Sequence, residues 1–459
     1  MERCGAMVSI YLFTTVLMCG LSCNALPIQT STRLELIQAL INHDENIPGV
    51  LDQSPPGTFE GDMILTPIQK KAIREDVNAR KTGNVGRKRK ILADTNAYWP
   101  QAMVTLRNRS HGQIYPFSVP GKFIWHRIQS AIHMWESQTC IRFIPRSRAL
   151  SEQLGHKDYV LIRPWPDSRQ GCISNVGRIR GMQSVNISVI CSAGRIAHEL
   201  GHTIGFVHEQ SRPDRDLYVH INYNNVAINQ TGQFEKYSNS KVTTYRLPYD
   251  IGSIMHYKST AFSKDQRMLQ TITTDDPLVQ KWMGQRNNIS FLDAKLANLA
   301  YRCHTGCPVS PPCQNGGYIG PSCTCVCPVG LTGPFCDTPH VSKGCGGRLT
   351  ATHGVIQSSN YPASYNPDTE CSWLIEAPED SSIDLQIQEF HIEEDFDDEC
   401  NNDYLEIKLY GVQQVGQKYC GESANGRNIT YHSGGSLLIR FVSDFATEES
   451  GFRIIYRIV

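Results

Sequence analysis

The spacing of apolar residues predicts a helix in the first half of the chain and strands near its end. Between Phe123 and Trp135, apolar side chains recur at helical spacing, which predicts a helix that buries one face. The runs Asp403–Ile407 and Leu437–Phe441 have the residue types and alternation expected of strands in a sandwich. The apolar positions of the predicted helix are Ile124, Ile128, Ala131, Ile132 and Trp135.

An apolar run close to the amino terminus predicts a secretory signal peptide over residues 1–25. The run extends from Ala6 to Leu21, follows Arg3 and gives way to small residues up to Ala25, which is the order of regions in a signal peptide. A signal anchor is the alternative, but the run is shorter than the ~20 apolar residues that cross a bilayer. No later segment has that length and apolar content, so we expect no transmembrane anchor.

Composition and charge narrow the class of protein. The chain has 459 residues, 40% of them hydrophobic, which is ordinary for a globular protein of about three domains. Lys plus Arg and Asp plus Glu both number 44, so no net field attracts nucleic acid and we expect no such partner. The 17 cysteines indicate an oxidising compartment, and hence a secreted, extracellular protein.

Processing and modification signals agree with secretion. Removal of Cys4, Cys19 and Cys23 with the signal peptide would leave 14 of the 17 cysteines, an even number that permits full pairing. Asn-x-Ser/Thr sequons are usable only in the secretory route. The five glycosylation candidates are Asn108, Asn186, Asn229, Asn288 and Asn428.

The basic cluster Arg87–Lys90 predicts the end of a propeptide over residues 26–90. It precedes the apolar start Ile91–Leu92 of the next region, so we expect an activating protease as a partner at this cluster. A solvated charge run is the alternative. Cleavage after Arg89 and cleavage after Lys90 both remain open.

The strongest chemical signal lies between residues 197 and 209. His198 and His202 are four residues apart, so on a helix they project from one face and can bind one metal ion. Gly205 can adopt the left-handed conformation that ends a helix. The chain can then turn back and bring His208 in as a third nitrogen ligand.

This ligand set favours catalytic zinc and peptide-bond hydrolysis. Three protein ligands leave one coordination position open for water, as in catalytic zinc sites. Zinc lowers the pKa of such a water to ~7, and Glu199 can take its proton as the water attacks a peptide carbonyl. A His-Glu-x-x-His motif alone also occurs by chance on amphipathic helices, so Gly205 and His208 make the prediction specific.

The extended motif is the metzincin signature, and metzincins also have a methionine-containing turn beneath the metal. Ser253–Tyr257 supplies Met255 for this turn, although a lone methionine is more often core filler. From about Ile91 to Cys303 the chain resembles the astacins. Residues 198–216, together with residues 253–257 and Ala261–Ser263, match the two diagnostic motifs of that family. The resemblance implies an α+β metzincin catalytic domain over residues 91–303, with a zinc-binding active-site helix and a Met-turn.

The resemblance also implies roles for individual residues. Glu199 is the expected general base, and Tyr257 the expected extra zinc ligand that swings away and stabilises the oxyanion in the transition state. An ordinary half-buried tyrosine is the alternative at Tyr257. Glu209 lies, in this family, near the new amino terminus of the mature enzyme and links propeptide removal to an ordered site. The implied zinc ligands are His198, His202 and His208, and the implied disulfides are Cys140–Cys303 and Cys172–Cys191.

The propeptide carries a second match, Phe59-Glu60-Gly61-Asp62. In astacin zymogens an aspartate in such a motif occupies the open position on zinc and displaces the catalytic water. Asp62 is therefore the expected zymogen latch. An ordinary turn is the alternative, because Gly-Asp pairs are common in turns.

Six cysteines occur between Cys307 and Cys336, in a segment too short for a core of its own, so disulfides must hold it together. Cys313–Gly317 and the ending Cys327–Cys336 resemble an EGF-like module, which we place at residues 304–340. A zinc ribbon is the alternative, although thiols oxidise outside the cell. The resemblance implies the pairs Cys307–Cys323, Cys313–Cys325 and Cys327–Cys336.

The last segment, residues 341–459, resembles a CUB domain, an all-β sandwich. The resemblance implies the disulfides Cys345–Cys371 and Cys400–Cys420. It rests on Cys345–Gly347, Asn360–Pro362, Asp403–Leu405, Tyr419–Gly421, Ser443–Asp444 and Gly451–Phe452.

Some CUB domains bind calcium through one glutamate and two aspartates. The matching positions here are Glu393, Asp403 and Asp444, and oxygen ligands suit this hard ion. A solvated acidic loop is the alternative, because further carboxylates surround Glu393.

Three classes of function remain in competition. The leading hypothesis is a secreted, zinc-dependent endopeptidase, made as a zymogen, whose additional modules recruit extracellular protein substrates such as matrix or cuticle. The order of protease, EGF-like and CUB modules resembles nematode astacins that act on such material. A binding protein that keeps the metzincin fold is the second class, and an extracellular inhibitor or structural protein is the third. Because Glu199 and the three histidines are all present, the sequence favours the enzyme.

Overall fold

The computed structural model covers most of the chain after Pro56. The expected signal peptide, the start of the expected propeptide and the basic cluster at residues 87–90 lie outside the described residues. The described residues are 58–81, 91–92, 94–108, 119–165, 171–238, 240–266, 268–308, 311–342, 344–378, 380–395, 400–432 and 435–459.

The helices of the described ranges include the one predicted from apolar spacing. That helix runs from Val119 to Glu136, and its Ile128, Ala131 and Trp135 are buried, so the prediction is confirmed. No helix in the described ranges combines the length and apolar content needed to cross a membrane. The α-helices are α1 Pro67–Lys81, α2 Val119–Glu136, α3 Arg148–Gln153, α4 Ala193–Thr203 and α5 Phe291–Ala300.

The strands of the first part of the chain form one mixed six-stranded sheet and two strand pairs. In chain order they are β1 Met63–Ile64, β2 Ile91–Leu92, β3 Met103–Asn108, β4 Arg142–Pro145, β5 Tyr159–Pro164, β6 Cys172–Asn175, β7 Met182–Ile187, β8 Val219–Ile221, β9 Val242–Thr243 and β10 Ile272–Thr274. The sheet has the order β1-β6-β7-β5-β3-β4, and β8 pairs with β10 and β2 with β9. Only β6 against β7 is antiparallel within the sheet. Strand β1, from the expected propeptide, therefore covers the edge strand β6.

Helices α2 and α4 cover this sheet, which, apart from β1, lies in the predicted catalytic domain, residues 91–303, called the first domain below. The Trp135 indole on α2 donates to the carbonyl of Ala197 on α4 at 2.9 Å, so the two helices are joined by a hydrogen bond as well as by packing. Disulfides join Cys140 to Cys303 and Cys172 to Cys191. The first of these ties the end of α2 to the end of α5, which closes the domain.

The disulfide-rich module, residues 304–340, contains four two-residue strands, Tyr318–Ile319 (β11), Cys325–Val326 (β12), Leu331–Thr332 (β13) and Thr338–Pro339 (β14). Its disulfides join Cys307 to Cys323, Cys313 to Cys325 and Cys327 to Cys336. Leu331 is buried with Leu374, Val412 and Leu438 of the following domain. The module therefore shares apolar burial with its neighbour.

The sandwich domain, residues 341–459, consists of two packed sheets. Its strands are β15 Gly347–Leu349, β16 His353–Gln357, β17 Glu370–Ile375, β18 Ile383–His391, β19 Tyr404–Ile407, β20 Gln417–Tyr419, β21 Asn428–Tyr431, β22 Leu437–Val442 and β23 Gly451–Ile458. The sheet orders are β15-β17-β22-β19-β20 and β16-β23-β18-β21. Strands β19 and β22 confirm the two extended runs predicted from sequence. Disulfides join Cys345 to Cys371 and Cys400 to Cys420.

The fold separates the sequon asparagines into buried and exposed sites. Asn186 is 4% exposed and lies in β7, where Arg163 of β5 and Ile173 of β6 flank it. A glycan has no room there, so the expectation at Asn186 does not fit the fold. Asn229, Asn288 and Asn428 are exposed, and the side chain of Asn108 lies outside what the structure describes.

We therefore expect glycans at Asn229, Asn288 and Asn428, and none at Asn186, when the chain is produced through the secretory route. Glycopeptide mass spectrometry before and after enzymatic removal of the glycans measures occupancy at each asparagine. A glycan on Asn186 of folded protein would contradict the position of β7 within the sheet.

Candidate metal centre

Helix α4 carries three of the predicted site residues. The Ser192 side chain accepts a hydrogen bond from Arg195 N and caps the amino end of the helix. His198 and His202 follow one turn apart, and Glu199 lies beside them; all three are at most 2% exposed. The spacing predicted from sequence therefore places both imidazoles on the same face of this helix.

Helix α4 ends at Thr203, and Gly205, just beyond its end, has a φ of +103°. That backbone conformation strains any residue with a side chain. The turn that follows is held by hydrogen bonds from Gly205 N to His202 O at 2.8 Å and from Phe206 N to Gly201 O at 3.0 Å. It returns the chain to the face of α4 and brings His208 beside the other two histidines.

The three imidazoles converge through their Nε2 atoms. The Nε2 atoms of His198 and His208 are 3.3 Å apart. Asp62 completes the group, with Oδ2 at 3.1 Å from His198 Nε2 and Oδ1 at 3.4 Å from His202 Nε2 and 3.2 Å from His208 Nε2. The structure therefore brings four of the predicted site residues to a single point.

Each ring is oriented by a hydrogen bond at its other nitrogen. His198 Nδ1 lies 2.8 Å from Ile254 O, and His202 Nδ1 lies 2.9 Å from Phe206 O. His208 Nδ1 lies 2.7 Å from a carboxylate oxygen of Glu60. Since all three partners accept hydrogen bonds, the Nδ1 atoms donate, and the Nε2 lone pairs point inward as metal ligands require.

The residues fit a zinc ion. Ligands at 2.0–2.1 Å in a tetrahedral site are about 3.3–3.4 Å from one another, which agrees with the separations of the Nε2 and Oδ atoms. His202 Nε2 is buried and has no hydrogen-bond partner of good geometry among the described residues, as expected of a nitrogen that binds a metal. Three imidazoles and a carboxylate are also a ligand set that zinc accepts.

Burial keeps the ligands on α4 in the form that binds metal. Burial, together with the charge of Arg286, lowers the pKa of His198 to about 3. Burial also lowers the pKa of His202. Both rings are therefore neutral near pH 7, with a lone pair available.

Neighbouring carboxylates raise the pKa values of His208 and Glu199. Although burial opposes it, the charge of Asp62 and hydrogen bonds to Asp62 and Glu60 raise the pKa of His208 to about 9. Burial, followed by the nearby charge of Asp62, raises the pKa of Glu199 well above its usual range. A carboxyl with a raised pKa is suited to accept and return a proton. Removal of Asp62 would take away one of the causes of the Glu199 shift.

Met255 lies directly beneath the active-site helix and is fully buried. A Cβ at Gly201 would lie 2.6 Å from the Met255 sulfur, so the glycine of the zinc motif is required for this packing. The amide of Glu209 donates to Met255 O at 3.0 Å. The turn predicted at Ser253–Tyr257 is therefore joined to the chain that carries His208.

Asp293, which sequence analysis did not single out, holds this turn from the other side. Its carboxylate accepts from Ser253 Oγ at 2.7 Å and from Ile254 N at 2.9 Å. It also forms a capping box with Ser290 at the start of α5. The sequence motif Ser-x-x-Asp predicts a helix start, but nothing in it reveals the contact with a turn forty positions earlier.

Glu209 is fully buried and takes part in a second polar network. Its Oε1 accepts from Arg212 Nη1 at 3.0 Å and from Asp250 N at 2.8 Å. Arg212 also pairs with Asp214 through two hydrogen bonds of 2.9 Å. The expected link of Glu209 to a new amino terminus depends on cleavage at the basic cluster, which lies outside the described ranges, and stays a prediction.

The segment before β1 reaches into the metal centre through a tight turn. Glu60 and Gly61 have φ values of +49° and +87°, and Phe59 and Met63 close the turn with two backbone hydrogen bonds of 2.8 and 3.0 Å. The two left-handed residues allow the side chains of Glu60 and Asp62 to approach His208 from different directions.

Glu60 is the second functional residue that sequence analysis missed. Its carboxylate binds His208 Nδ1, and its main-chain oxygen accepts from the Tyr257 hydroxyl at 2.6 Å. Tyr257 therefore contacts this amino-terminal segment, and its ring lies 4.5 Å from that of His208. Only the fold shows that two neighbouring carboxylates, rather than one, reach the histidines.

A second group of potential metal ligands lies in the sandwich domain. Glu393, Asp403 and Asp444 each offer a carboxylate oxygen, all within 4.8 Å of one another. Burial and the charges of the two aspartates raise the pKa of Glu393, which shows mutual repulsion that a cation would relieve. Tyr365 OH donates to Asp403 at 2.5 Å and fixes that carboxylate. Residues 396–399 of the surrounding acidic loop lie outside the described residues.

Models of two protein families match parts of this chain. Astacin, a peptidase family, matches residues 115–302, and the CUB domain family matches residues 345–456. The chain is 38% identical over 407 residues to Blastula protease 10 of Paracentrotus lividus, covering 87% of this chain and 65% of that protein. It is 32% identical over 442 residues to Zinc metalloproteinase nas-36 of Brugia malayi, covering 89% of this chain and 71% of that protein.

Among solved structures, the chain is similar to High choriolytic enzyme 1, a hatching enzyme zinc-protease from Oryzias latipes. The identity is 29%, the match covers 48% of this chain and 99% of that one, and the TM-score is 0.38. The chain spans about 65% of the length of Blastula protease 10.

We expect calcium to bind the carboxylates of the sandwich domain and to raise the midpoint of its thermal unfolding, because the ion offsets their repulsion. Differential scanning calorimetry with calcium or with a chelator measures the shift. Asp444→Asn should remove the shift, whereas Asp384→Asn, on the exposed face of β18, should preserve it. An equal response to calcium in the Asp444→Asn variant would contradict the assignment.

Proposed function

Because this chain belongs to the astacin family of zinc metallopeptidases, we propose that it is a secreted zinc-dependent endopeptidase produced as a latent zymogen. The observation that carries the proposal is the convergence of three imidazole Nε2 atoms and one carboxylate beside buried Glu199. Such a site combines a metal position with a proton acceptor. The seven disulfides agree with an extracellular location.

The proposed function assigns each side chain of the site a role in hydrolysis. Zinc, when bound, lowers the pKa of a water molecule and polarises the peptide carbonyl. Glu199 accepts the proton of the attacking water and passes it to the leaving amine. His198, His202 and His208 hold the metal, and their outer hydrogen bonds fix the direction of the rings. Tyr257, once its hydroxyl no longer donates to Glu60, can donate to the developing oxyanion.

The edge of the sheet supplies a place for an extended substrate. Strand β6 is covered by β1 of the amino-terminal segment, so removal of that segment exposes a strand edge. A substrate peptide can add to such an edge through its main chain. We propose extracellular proteins, such as matrix or cuticle, as the substrates.

The amino-terminal segment would maintain latency by three contacts. Asp62 occupies the fourth corner of the histidine cluster, the Glu60 carboxylate binds the outer nitrogen of His208, and the Glu60 carbonyl binds the Tyr257 hydroxyl. Water is thereby displaced and the oxyanion donor is engaged. An activating protease at Arg87–Lys90 would cut the chain between this segment and the first domain, and the segment could then dissociate.

Replacement of Glu199 by Gln should lower the cleavage rate of a peptide library by roughly 10²- to 10⁴-fold, because the amide cannot accept the proton. Mass spectrometry of the cut bonds measures both the rate and the preference for residues around the scissile bond. The change preserves size, so the variant should retain one zinc per chain by atomic emission.

If the processed protein retains zinc but cuts no more than its Glu199→Gln variant, the endopeptidase proposal fails. The alternative of a binding protein with a metzincin fold would then be favoured. Loss of zinc in both proteins would instead argue against the metal assignment itself.

In the intact precursor, Asp62→Ala and Glu60→Ala should each strengthen binding of a zinc-directed hydroxamate by roughly tenfold or more, the effect of losing a charge-assisted buried hydrogen bond. Fluorescence polarisation with a labelled hydroxamate measures this affinity without substrate turnover. Glu75→Ala, on the exposed face of α1 beside Lys71, is the matched control and should change nothing. Unchanged affinity in the Asp62 variant would refute the latch.

A further inference from the structure

A loop of the sandwich domain inserts between the other two modules. This docking loop, residues 409–416, follows Lys408 in the connection between β19 and β20. Its Tyr410 hydroxyl donates to the Asp276 carboxylate of the first domain, and its Gln413 Oε1 accepts from Lys295 Nζ at 2.7 Å. The sandwich domain therefore makes direct polar contacts with the first domain.

Lys295 joins all three modules at one point. It lies on α5 of the first domain, and its ammonium also donates to Gly316 O of the disulfide-rich module at 2.7 Å. The two acceptors come from different modules, so the position of α5 is coupled to both. Burial lowers the pKa of Lys295 to about 8, which agrees with an enclosed position.

The docking loop also packs against the segment that leads into the Met-turn. A Cβ placed on Gly252 would lie 3.0 and 3.3 Å from the two methyl groups of Val415, so the side chain of Val415 covers the backbone at Gly252. Gly252 immediately precedes Ser253, the first residue of the turn. Its carbonyl accepts from Gln285 Nε2 at 2.7 Å, which limits its freedom to move away from Val415.

The disulfide-rich module also contacts the docking loop and its flanking residue Lys408. Val412 is buried in one apolar cluster with Leu331 of that module and with Leu374 and Leu438 of the sandwich domain. Lys408, adjacent to the loop, donates to Val329 O at 3.1 Å. These contacts hold the docking loop in place. The loop can therefore limit movement of Gly252 and α5.

The surfaces touched by the docking loop are those that fix the Met-turn. Asp293, two positions before Lys295 on α5, accepts hydrogen bonds from Ser253 and from Ile254 N. The carbonyl of Ile254 accepts from the outer nitrogen of His198. A continuous set of packed and hydrogen-bonded groups thus runs from Val415 and Gln413 to a predicted metal ligand.

We propose that the CUB domain is a positioning element of the catalytic centre, acting through its docking loop on Gly252 and Lys295. This role is separate from substrate recruitment. Only the activity measurements that test this positioning role depend on the proposed peptidase function. Mutations along a contiguous packed network of this kind change the coupling between its ends by roughly 2- to 30-fold.

The test compares processed full-length protein with three variants. Gln413→Ala/Val415→Ala removes the side-chain contacts of the loop with Lys295 and Gly252. Lys295→Met keeps the stem and removes the two hydrogen bonds, and Val355→Ala is the control. Val355 is 45% exposed on β16, in the other sheet. For a peptide substrate too short to reach the sandwich domain, we expect kcat to fall roughly 2- to 30-fold with little change in KM. The control should match the unmodified protein.

Hydrogen exchange supplies a readout that is independent of activity. Amides of residues 250–256 should exchange faster in the two test variants and at the unmodified rate in the control. A rise in KM confined to long substrates would indicate recruitment and would overturn the positioning role. Faster exchange in the disulfide-rich module with unchanged kcat and unchanged exchange at 250–256 would also overturn it.

The outcomes separate this proposal from the proposed peptidase function. If even the unmodified protein is inactive, the peptidase function fails, and exchange at residues 250–256 alone decides the positioning role. If neither test variant alters exchange or kcat, Val415→Asp, which places a charge against Gly252, provides a stronger perturbation. Wild-type behaviour of that variant as well would exclude the docking loop as a positioning element.

Discussion

Three imidazole rings must present one lone pair each at a single buried point, and much of the first domain serves this requirement. The four-residue spacing on α4 places two rings, and the left-handed Gly205 returns the chain to place His208. Each ring is then fixed by an acceptor at its outer nitrogen. Because burial disfavours protonation of the rings on α4, the same packing that orients them also keeps their lone pairs available.

Local signals in the sequence predict the metal centre well, because spacing and one glycine determine most of its geometry. The strand and helix patterns that surround it follow from the same kind of signal. Glu60 and Asp293 could not be found in this way. Glu60 contacts a histidine 148 positions later, and Asp293 holds a turn about forty positions earlier. At Asn186 a local motif predicts a glycan that the fold does not accommodate. The sequon is local, whereas burial of the side chain depends on two neighbouring strands.

Helix α5 connects the modules of the chain, a role that its own sequence does not predict. Its first turn binds the Met-turn, its middle carries Lys295 to the other two modules, and the chain just beyond its end is tied to Cys140. A short helix thus receives contacts from every module of the described chain after Ile91. The disulfide-rich module, which lacks room for a core, gains apolar burial from the sandwich domain in the same region.

The tight turn from Phe59 to Met63 has a consequence for the timing of activation. The contacts made by Glu60 and Asp62 are separated from the basic cluster by the whole of α1. A cut at that cluster therefore breaks the chain without breaking any of those contacts. Under the proposed zymogen function, the excised segment would still be paired with β6 and would act as a competitive inhibitor. The appearance of activity would then depend on dissociation of the segment and on its dilution or further degradation, so that cleavage and activation would be separate events in time.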